Sequence, residues 1–217
     1  MILQGEIVRL RALEPEDLNF LFTTENDTNF WEVSNTQVPF SKFVLKQYLE
    51  NSHLDIYEAK QLRLIVEETK NNNAVGIIDL FDFNPQHKRA GIGILIHKQY
   101  QNAGYGSEAL SLLISYCFKV LDMHQLFANI TPNNKKSIAL FMRHSFRNGW
   151  GARGMMTHIV RNQQTGKYAV QLLRLTQATG EPPVPRRPTN AMQHKGRFHV
   201  LRHQAPLLNV LLTNQQR

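Results

Sequence analysis

The spacing of apolar residues along the first 176 positions alternates between the period of strands and that of helices. Patterns typical of strands lie around Ile7, Leu10 and Leu13 and at 62–67, 75–83, 90–96 and 125–130. Helical spacing follows Pro15 in Leu18, Leu21 and Phe22, and recurs at 42–50 behind the capping residue Ser41, from Leu110 to Leu121, and at 137–143. The order β-α-α-β-β-β-α-β-α predicts an α/β (α+β) fold, a mixed central β-sheet flanked by helices.

Charge divides the chain into two unlike halves. Residues 1–122 contain 11 Lys and Arg against 16 Asp and Glu, whereas residues 123–217 contain 14 Lys and Arg and a single acid, Glu181. From about residue 177 onward, no sustained apolar period remains. We therefore expect a folded domain over 1–176 and a divergent, basic C-terminal extension over 177–217 that forms a disordered tail.

Composition excludes several classes of protein. No run approaches the roughly 20 apolar residues of a membrane helix, and charges stand at the N-terminus where a secretory signal is apolar. We expect a cytoplasmic protein without a membrane partner. Cys117 is the only cysteine, which excludes an internal disulfide framework and a cysteine-based zinc site, and its place on a helical apolar stripe predicts a core role. No metal is expected.

Candidate chemistry is concentrated where the strand 93–96 meets the long helix. Gly104 and Gly106 allow a tight turn and leave the first N–H groups of the helix uncovered, which suits a pyrophosphate. Glycine-containing turns between strands and helices are common. On these two residues alone, a packing role therefore explains the glycines as well as an anion site does.

The wider context resembles a known family. Gln101-x-x-Gly104-x-Gly106 is similar to the [Arg/Gln]-x-x-Gly-x-[Gly/Ala] signature of the GCN5-related N-acetyltransferase (GNAT) superfamily. Within it, the chain looks most like the branch of spermidine/spermine N-acetyltransferases and ribosomal-protein N-terminal acetyltransferases. The supporting stretches are 10–18, 75–80, 90–96 and 134–141, in the expected order over about 7–141.

This resemblance implies acetyl-CoA as donor and a primary amine as acceptor, either a polyamine such as spermidine or a protein N-terminus. It implies direct attack of the amine through a tetrahedral intermediate whose oxyanion is bound by a backbone N–H of the cofactor strand. The implied cofactor-binding residues are Ile94, Leu95 and Ile96 along the pantetheine arm, Gln101, Asn102, Ala103, Gly104, Tyr105, Gly106 and Ser107 around the pyrophosphate, and Asn134 near the thioester.

The resemblance also points to a missing catalytic group. The branch usually has a Tyr general acid directly after the Leu of Asn-x-x-Ser-x-x-Leu, and this chain has Phe141 there. A phenylalanine has no proton to give to the leaving thiolate. Loss of a general acid typically costs about 10²–10⁴-fold in rate, so water or another residue could still support turnover.

Three carboxylates are candidates for binding the acceptor amine. Glu32 and Asp82 lie near positions where the polyamine branch keeps acidic residues, and Glu32 could also act as a base; Asp79 shares a strand with Asp82. An ordinary surface role is as good an explanation for them. Because residues three apart on an unbulged strand point to opposite faces, only one of Asp79 and Asp82 is expected to reach the site. His97, beside the cofactor strand, is a weaker candidate for proton transfer.

The match fades after Phe141. Ser145-Phe146 stands where the family has Gly-Phe, and Gly166-Lys167-Tyr168-Ala169-Val170 lacks the family's Asp. The chain beyond about residue 142 is therefore either diverged or out of its original reading frame. A second function class stays open, a catalytically weak regulatory module that binds acetyl-CoA. Attachment of the basic tail to RNA is a third, although nucleic acid is not expected as a partner. Pairing of sheet edges into a homo-oligomer is undecided.

Overall fold

Strands and helices follow the predicted order, and the computed structural model adds elements that the apolar pattern did not indicate. The structure describes residues 3–34, 36–148 and 157–162. The strands are β1 (Val8–Arg11), β2 (Leu62–Glu68), β3 (Ala74–Asn84), β4 (Arg89–Ile96), β5 (Gln125–Ile130), β6 (Arg147–Asn148) and β7 (Thr157–Asn162). The helices are α1 (Leu18–Glu25), α2 (Thr28–Ser34), α3 (Lys42–Glu50), α4 (Ile56–Ala59), α5 (Tyr105–Lys119) and α6 (Lys135–Arg143). The additions are α2, α4, β6 and β7.

The described strands form one mixed sheet in the order β1-β2-β3-β4-β5-β7-β6. Neighbours pair antiparallel except β4 and β5, which are parallel. A parallel pair needs a crossover, and α5 supplies it. The predicted mixed sheet flanked by helices is confirmed.

Alternate residues of the strands pack into two separate apolar clusters. One cluster lies under α5 and includes Leu10, Leu64, Ile78, Ile92, Leu110, Leu113 and Leu126. The other lies under α1 and α3 and includes Leu21, Leu45, Ile65 and Ile77. Cys117 belongs to the α5 cluster, as predicted, and burial raises the pKa of its thiol to about 12. We call the two sides of the sheet the α5 face and the α1–α3 face.

Strand β3 is bulged, so the premise of an unbulged strand does not hold for Asp79 and Asp82. Its pairing with β4 shifts register between Phe81 and Asn84, and Asp82 within the shift has a φ of 49°. The simple alternation of an unbulged strand does not hold across this segment. Asp79 lies before the bulge and faces the α1–α3 side, whereas Asp82 is exposed at the bulge itself.

The outer edge of β1 is occupied by the residues that precede it. Gly5 N–H donates to Val8 O, Leu10 N–H donates to Leu3 O, both at 2.8 Å, and Gln4 forms a bridge with Arg9. We call residues 3–7 the N-terminal hook. This edge therefore presents a hairpin-like cover rather than an open ladder.

Several expectations concern residues outside the described part of the chain. These are the tail 177–217, the end of the 1–176 domain and the segment 166–170. Among the described residues, no helix combines the length and the apolar character that crossing a membrane requires. Within the same residues, no group of three or more His, Cys, Asp or Glu is arranged to hold a metal ion.

Candidate active site

A cleft opens between the parallel strands β4 and β5. They pair only from Arg89 and Gln125 to Gly91 and Phe127, whereas β4 continues to Ile96 with β3 on its other side. Among the described residues, the C-terminal half of β4 therefore has no ladder partner on the β5 side. An extended amide-bearing arm can pair with such an edge as an added strand does.

The direction of the β4 amides follows from one hydrogen bond. His97 N–H donates to Val75 O at 3.0 Å, and bonded and non-bonded pairs alternate along an antiparallel ladder. The N–H and C=O groups of Ile96 and Ile94 consequently point into the cleft, and those of Leu95 point toward β3. The main chain of Ile94 and Ile96 can thus bind a ligand in the cleft, while Leu95 cannot contribute in the way the resemblance implied.

The N-terminus of α5 lies beside this open edge. Gly104, with a φ of 89°, is the N-cap, and its carbonyl accepts the N–H groups of Ser107 and Glu108. The preceding N–H groups of the first turn have no partner within the helix. A Cβ added to Gly106 would lie 3.4 Å from Ile96 Cγ1, so the helix terminus packs directly on the end of β4. A pyrophosphate at the terminus and an extended arm along β4 would be continuous, and the residues present fit acetyl-CoA.

Two side chains of the glycine loop brace the loop. Gln101 Nε2 donates to Ile96 O at 3.0 Å, which holds the turn against the strand. The phenol of Tyr105 donates to the carboxylate of Glu68, and this hydrogen bond lowers the pKa of Glu68. The side chains of Gln101 and Tyr105 are engaged in these two hydrogen bonds. Their backbone groups are what they present to the helix terminus.

The other loop positions differ in their surroundings. Asn102 and Ala103 are exposed, and Asn102 has a φ of 66°. Ser107 Oγ lies 2.9 Å from Nε2 of His144, at the end of α6, and Ser111 Oγ lies 3.3 Å from its Nδ1. The hydroxyls on α5 thus connect the start of this helix to the end of α6.

Glu108, a residue that sequence reasoning missed, fixes the N-terminal hook to α5. Its carboxylate accepts the N–H groups of Glu6, Ile7 and Val8 at 2.9, 2.8 and 2.7 Å. Gly5 passes beneath it so closely that an added Cβ would lie 2.5 Å from the carboxyl carbon. An acid in the first turn of a helix was the only local signal, and the helix dipole explained it without a partner.

Asn134 and Phe141 have structural partners on α6. Asn134 Oδ1 accepts Ser137 N–H at 3.1 Å and caps the helix. Phe141 is 2% exposed and packs edge-on against Phe146, with ring centroids 5.0 Å apart. The position where the branch has its Tyr acid is thus packed in the core, and the Phe141 ring presents no proton donor. Ser145, in place of the family's glycine, has a φ of 65°.

Asp79 is held in a buried charge cluster. Arg63 Nε and Nη2 donate to its two carboxylate oxygens at 2.7 and 3.1 Å, and Arg63 Nη1 donates to Glu25 Oε1 at 2.6 Å. Burial alone would lower the pKa of Arg63, but the two carboxylates raise it well above its ordinary value. Two carboxylates share one guanidinium, so the cluster carries one net negative charge. Sequence reasoning missed Arg63 and Glu25 because they lie 38 positions apart.

Gly93 leaves room for a small group next to this cluster. Apart from the chain neighbours of Gly93, only Asp79 among the described residues comes within 4 Å of a Cβ placed there, with its Cβ and Oδ2 both at 3.8 Å. Phe81 lies over the neighbouring Gly91, and its ring packs edge-to-face against Phe127 with centroids 5.6 Å apart. We call the space over Gly93, next to Asp79, the Gly93 crevice. It lies on the α1–α3 face, one residue from the cleft-facing amide of Ile94.

Glu32 and Asp82, the other predicted acceptor carboxylates, lie apart from this cluster. Glu32 is on α2, and its side chain is outside the described part of the structure. Asp82 is exposed at the bulge of β3. Among the described side chains of the three candidates, only Asp79 borders the Gly93 crevice.

Comparison with known proteins identifies the family. The family model described as "Acetyltransferase (GNAT) domain" matches residues 8–147, more than half of the chain. The chain belongs to the GNAT acetyltransferases. The predicted family and fold are confirmed, and the protein is an enzyme that uses acetyl-CoA to acetylate a primary amine.

Relatives of this acetyltransferase include two spermidine N(1)-acetyltransferases. The one from Escherichia coli K12 is 29% identical over 142 residues, which are 64% of this chain and 72% of the relative. The one from Vibrio cholerae is 27% identical over 140 residues, 63% of this chain and 77% of the relative. The Vibrio cholerae spermidine N-acetyltransferase solved with CoA and spermine has a TM-score of 0.61 at 24% identity, covering 73% of this chain and 97% of that chain. At that identity the structural likeness supports the fold alone.

His97 connects the acetyltransferase's cofactor strand to its first two helices. Its Nε2 lies 2.8 Å from Thr24 Oγ1, and its ring stacks against Phe20 and Phe30 at centroid distances of 5.0 and 6.2 Å. Thr24 Oγ1 donates its proton to Phe20 O, so His97 Nε2 is the donor in their contact. Burial lowers the pKa of His97, and the charge of Asp27 partly opposes this.

Proposed function

We propose that this acetyltransferase acetylates a polyamine such as spermidine. The observation that carries the proposal is the pair of carboxylates, Asp79 and Glu25, that share the single cation Arg63 beside the Gly93 crevice. A buried net negative charge attracts a cationic acceptor more strongly than the same charge at the surface would. The names of the curated relatives, which are spermidine N(1)-acetyltransferases, support the same acceptor class.

The cofactor side of the proposed site uses main-chain groups. The amides of Ile94 and Ile96 pair with the pantetheine arm, and one of them donates to the oxyanion that forms as the amine attacks. The N–H groups at the start of α5, from Gly104 to Gly106, bind the pyrophosphate. Acetyl-CoA supplies the acetyl group as a thioester. Asn134 positions α6 at the far side of the cleft.

The acceptor side supplies charge and shape. The polyamine's reactive amine enters the Gly93 crevice, and Asp79 with Glu25 stabilises its ammonium groups. Glu32 on α2 and Asp82 at the bulge remain predicted partners for the distal cationic groups. Because ammonium is not nucleophilic, the amine must lose a proton before attack, and Glu32 is the predicted base.

The chemistry proceeds without a phenol acid at the Phe141 position. The thiolate therefore leaves without a proton from this position, and solvent protonates it afterward. A thiol has a pKa of about 8.5, so its anion is a tolerable leaving group near neutral pH. We expect a chemical step that is slow relative to binding, rather than an inactive protein.

The test is calorimetric titration of acetyl-CoA followed by CoA release with three acceptors: spermidine, a peptide with a free N-terminal serine, and N-acetylated peptide as the blank. Binding with kcat/KM for spermidine at least tenfold above the peptide supports the proposal. A preference for the peptide overturns the acceptor class. Binding of acetyl-CoA without release on any amine supports the regulatory alternative, and Phe141→Tyr is then the variant that distinguishes a missing acid from a missing acceptor.

A further inference from the structure

Residues 24–31, which comprise the end of α1, the two linking residues and the first turn of α2, border the proposed acceptor side of the sheet. They are held at two described points. Arg63 holds Glu25 at 2.6 Å, and His97 holds Thr24 at 2.8 Å. We call residues 24–31 the acceptor wall.

Arg63 has a surplus donor that reaches out of the sheet. Arg63 on β2 and Asp79 on β3 are direct cross-strand partners, and their bidentate contact lies within the sheet. That contact satisfies Nε and Nη2, and the remaining Nη1 leaves the sheet for Glu25 at the end of α1. The Arg63 side chain is only 7% exposed and its ring neighbour Tyr48 lies 5.7 Å below it, so the guanidinium has little freedom to turn.

Glu25 links Arg63 to the aromatic side chain of Trp31. Its carboxylate is bound by Arg63, and its backbone carbonyl accepts the indole N–H of Trp31 at 3.0 Å. Trp31 is adjacent along α2 to the predicted acceptor residue Glu32. Displacement of Glu25 therefore moves both the indole and the start of the helix turn that carries Glu32.

We propose that Arg63 is a positioning residue for the acceptor: by bridging Asp79 to Glu25 it fixes the acceptor wall against the Gly93 crevice. The inference rests on the proposed function in that it assigns the crevice to the acceptor. Its geometric part, the coupling of Glu25 to Trp31, does not depend on which amine binds. Bidentate and charge-assisted bonds from a planar guanidinium set direction as well as distance.

The test compares Glu25→Ala with Asp17→Ala, which is a matched control at the opposite end of the same helix. Asp17 is also a buried carboxylate held by an arginine, with Arg11 donating to its oxygens at 2.7 and 2.9 Å. Both variants are made with Trp150→Phe, because the chain has two tryptophans and Trp31 is then the only fluorophore of its kind. Glu25→Gln, which keeps the size of the side chain, is the second variant if Glu25→Ala does not fold.

Two readouts are measured. Acrylamide quenching of Trp31 is expected to rise about twofold in Glu25→Ala and to stay unchanged in Asp17→Ala. The KM for spermidine is expected to rise about tenfold with Glu25→Ala, while the Kd for acetyl-CoA changes less than twofold, because the cofactor cleft lies on the other edge of β4. If the ion pair had a purely structural role, both variants would have a lower melting temperature. Glu25→Ala would then not raise the KM for spermidine while leaving the Kd for acetyl-CoA nearly unchanged.

The outcomes separate the two proposals. Unchanged quenching in Glu25→Ala, or an equal change in Asp17→Ala, overturns the positioning role. If the unmodified protein binds acetyl-CoA and does not acetylate spermidine, the proposed acceptor is wrong, and the quenching comparison alone decides whether Arg63 holds the wall. Raised quenching with an unchanged KM for a confirmed acceptor also overturns the proposal.

Discussion

The two faces of the sheet are both buried and are built from different chemistry. The α5 face is covered by aliphatic side chains, and the strand residues that point to it are Val8, Leu10, Leu64, Val66, Ile78 and Ile92. The strand residues that point to the α1–α3 face include Ile65 and Ile77 of its apolar cluster and two groups of charged residues. Arg9, Arg11 and Glu67 are joined to each other and to Asp17 by ion pairs, and Arg63 joins Asp79 to Glu25. Even-numbered positions of these strands therefore pack against α5, whereas the charged residues occupy odd-numbered positions.

The difference separates stability from geometry. Apolar burial is non-directional and stabilises in proportion to area, so the α5 face holds the sheet and helix together without selecting fine positions. Buried ion pairs add little net stability against their desolvation cost, but they fix direction and leave an uncompensated charge if one partner is lost. The face proposed to border the acceptor is thus the one on which ion pairs fix the direction of the side chains.

The largest effect is expected from the charged face. Arg63→Ala leaves Asp79 and Glu25 buried without their cation and is expected to lower the free energy of unfolding by about 3–5 kcal/mol, measured by urea denaturation. A loss below about 1 kcal/mol would mean that water enters and replaces the guanidinium, and the contrast between the faces would then be much weaker.

The apolar face is expected to respond through cavity formation. Leu113 on α5 is fully buried, and Leu113→Ala is expected to cost about 2–5 kcal/mol in the same urea experiment. Acetyl-CoA affinity should be retained in the folded fraction, because Leu113 lies two turns beyond the helix terminus. A fall in affinity without a fall in stability would contradict the separation of roles.

The glycine loop gives a smaller effect that sharpens the comparison. Gly104→Ala forces a side chain into the left-handed region at φ 89°, which costs about 1–2 kcal/mol, and is expected to weaken acetyl-CoA binding at least tenfold in calorimetry. Gly106→Ala is the control, since its Cβ meets neighbours at 3.4 Å or more and the family signature accepts Ala there. If both variants lost acetyl-CoA affinity equally, the left-handed conformation at Gly104 would not be what determines binding.

One substitution is expected to stabilise the protein. Ser145 has a φ of 65° directly before the buried Phe146, at the position where the family has glycine. Ser145→Gly removes the steric cost and is expected to raise the free energy of unfolding by about 0.5–1 kcal/mol in thermal or urea unfolding. A loss of stability would indicate that the serine hydroxyl has a compensating partner.

The smallest expected effect is the pH dependence of His97. Its pKa in the folded protein is lowered by burial, so between that pKa and about 6.5 the unfolded chain binds more protons than the folded protein. Stability therefore falls as pH falls below about 6.5 toward that lowered pKa, and His97→Gln should weaken this dependence on pH. Urea titrations at pH 5.5 and pH 7.5 measure the change in the free energy of unfolding between the two pH values. The same change in the unmodified protein and in His97→Gln would rule out a contribution from this ring.

The spacing of apolar residues was sufficient to predict those helices and strands whose sequence pattern lies within one short stretch of the chain. The stripe through Leu110, Leu113 and Cys117 fixed α5, and Ser41 marked the start of α3, where its hydroxyl does accept Val44 N–H at 3.2 Å. Helix α4 was missed because it has only four residues, although Asp55 caps it by accepting two N–H groups.

The candidate site likewise contains residues that the local sequence predicts and residues that it does not. The glycine loop and strand β4 could be predicted as the cofactor site because the proposed binding uses the main chain of consecutive residues. Arg63 and Glu25 were missed because a buried ion pair is a property of distant positions that no spacing reveals. The β3 bulge changed the expected relation of Asp79 to Asp82, since a single extra residue reverses the alternation of a strand.

The contact between Glu108 and the N-terminal hook has a consequence for the order in which the chain can fold. The amides of Glu6, Ile7 and Val8 find their acceptor 100 to 102 positions later in the chain, on a helix that is synthesised after them. Until α5 leaves the ribosome, three N–H groups and the edge of the first strand have no carboxylate to bind. The hook can therefore be fixed to Glu108 only once α5 has been made, and its closure would accompany the docking of α5 on the sheet.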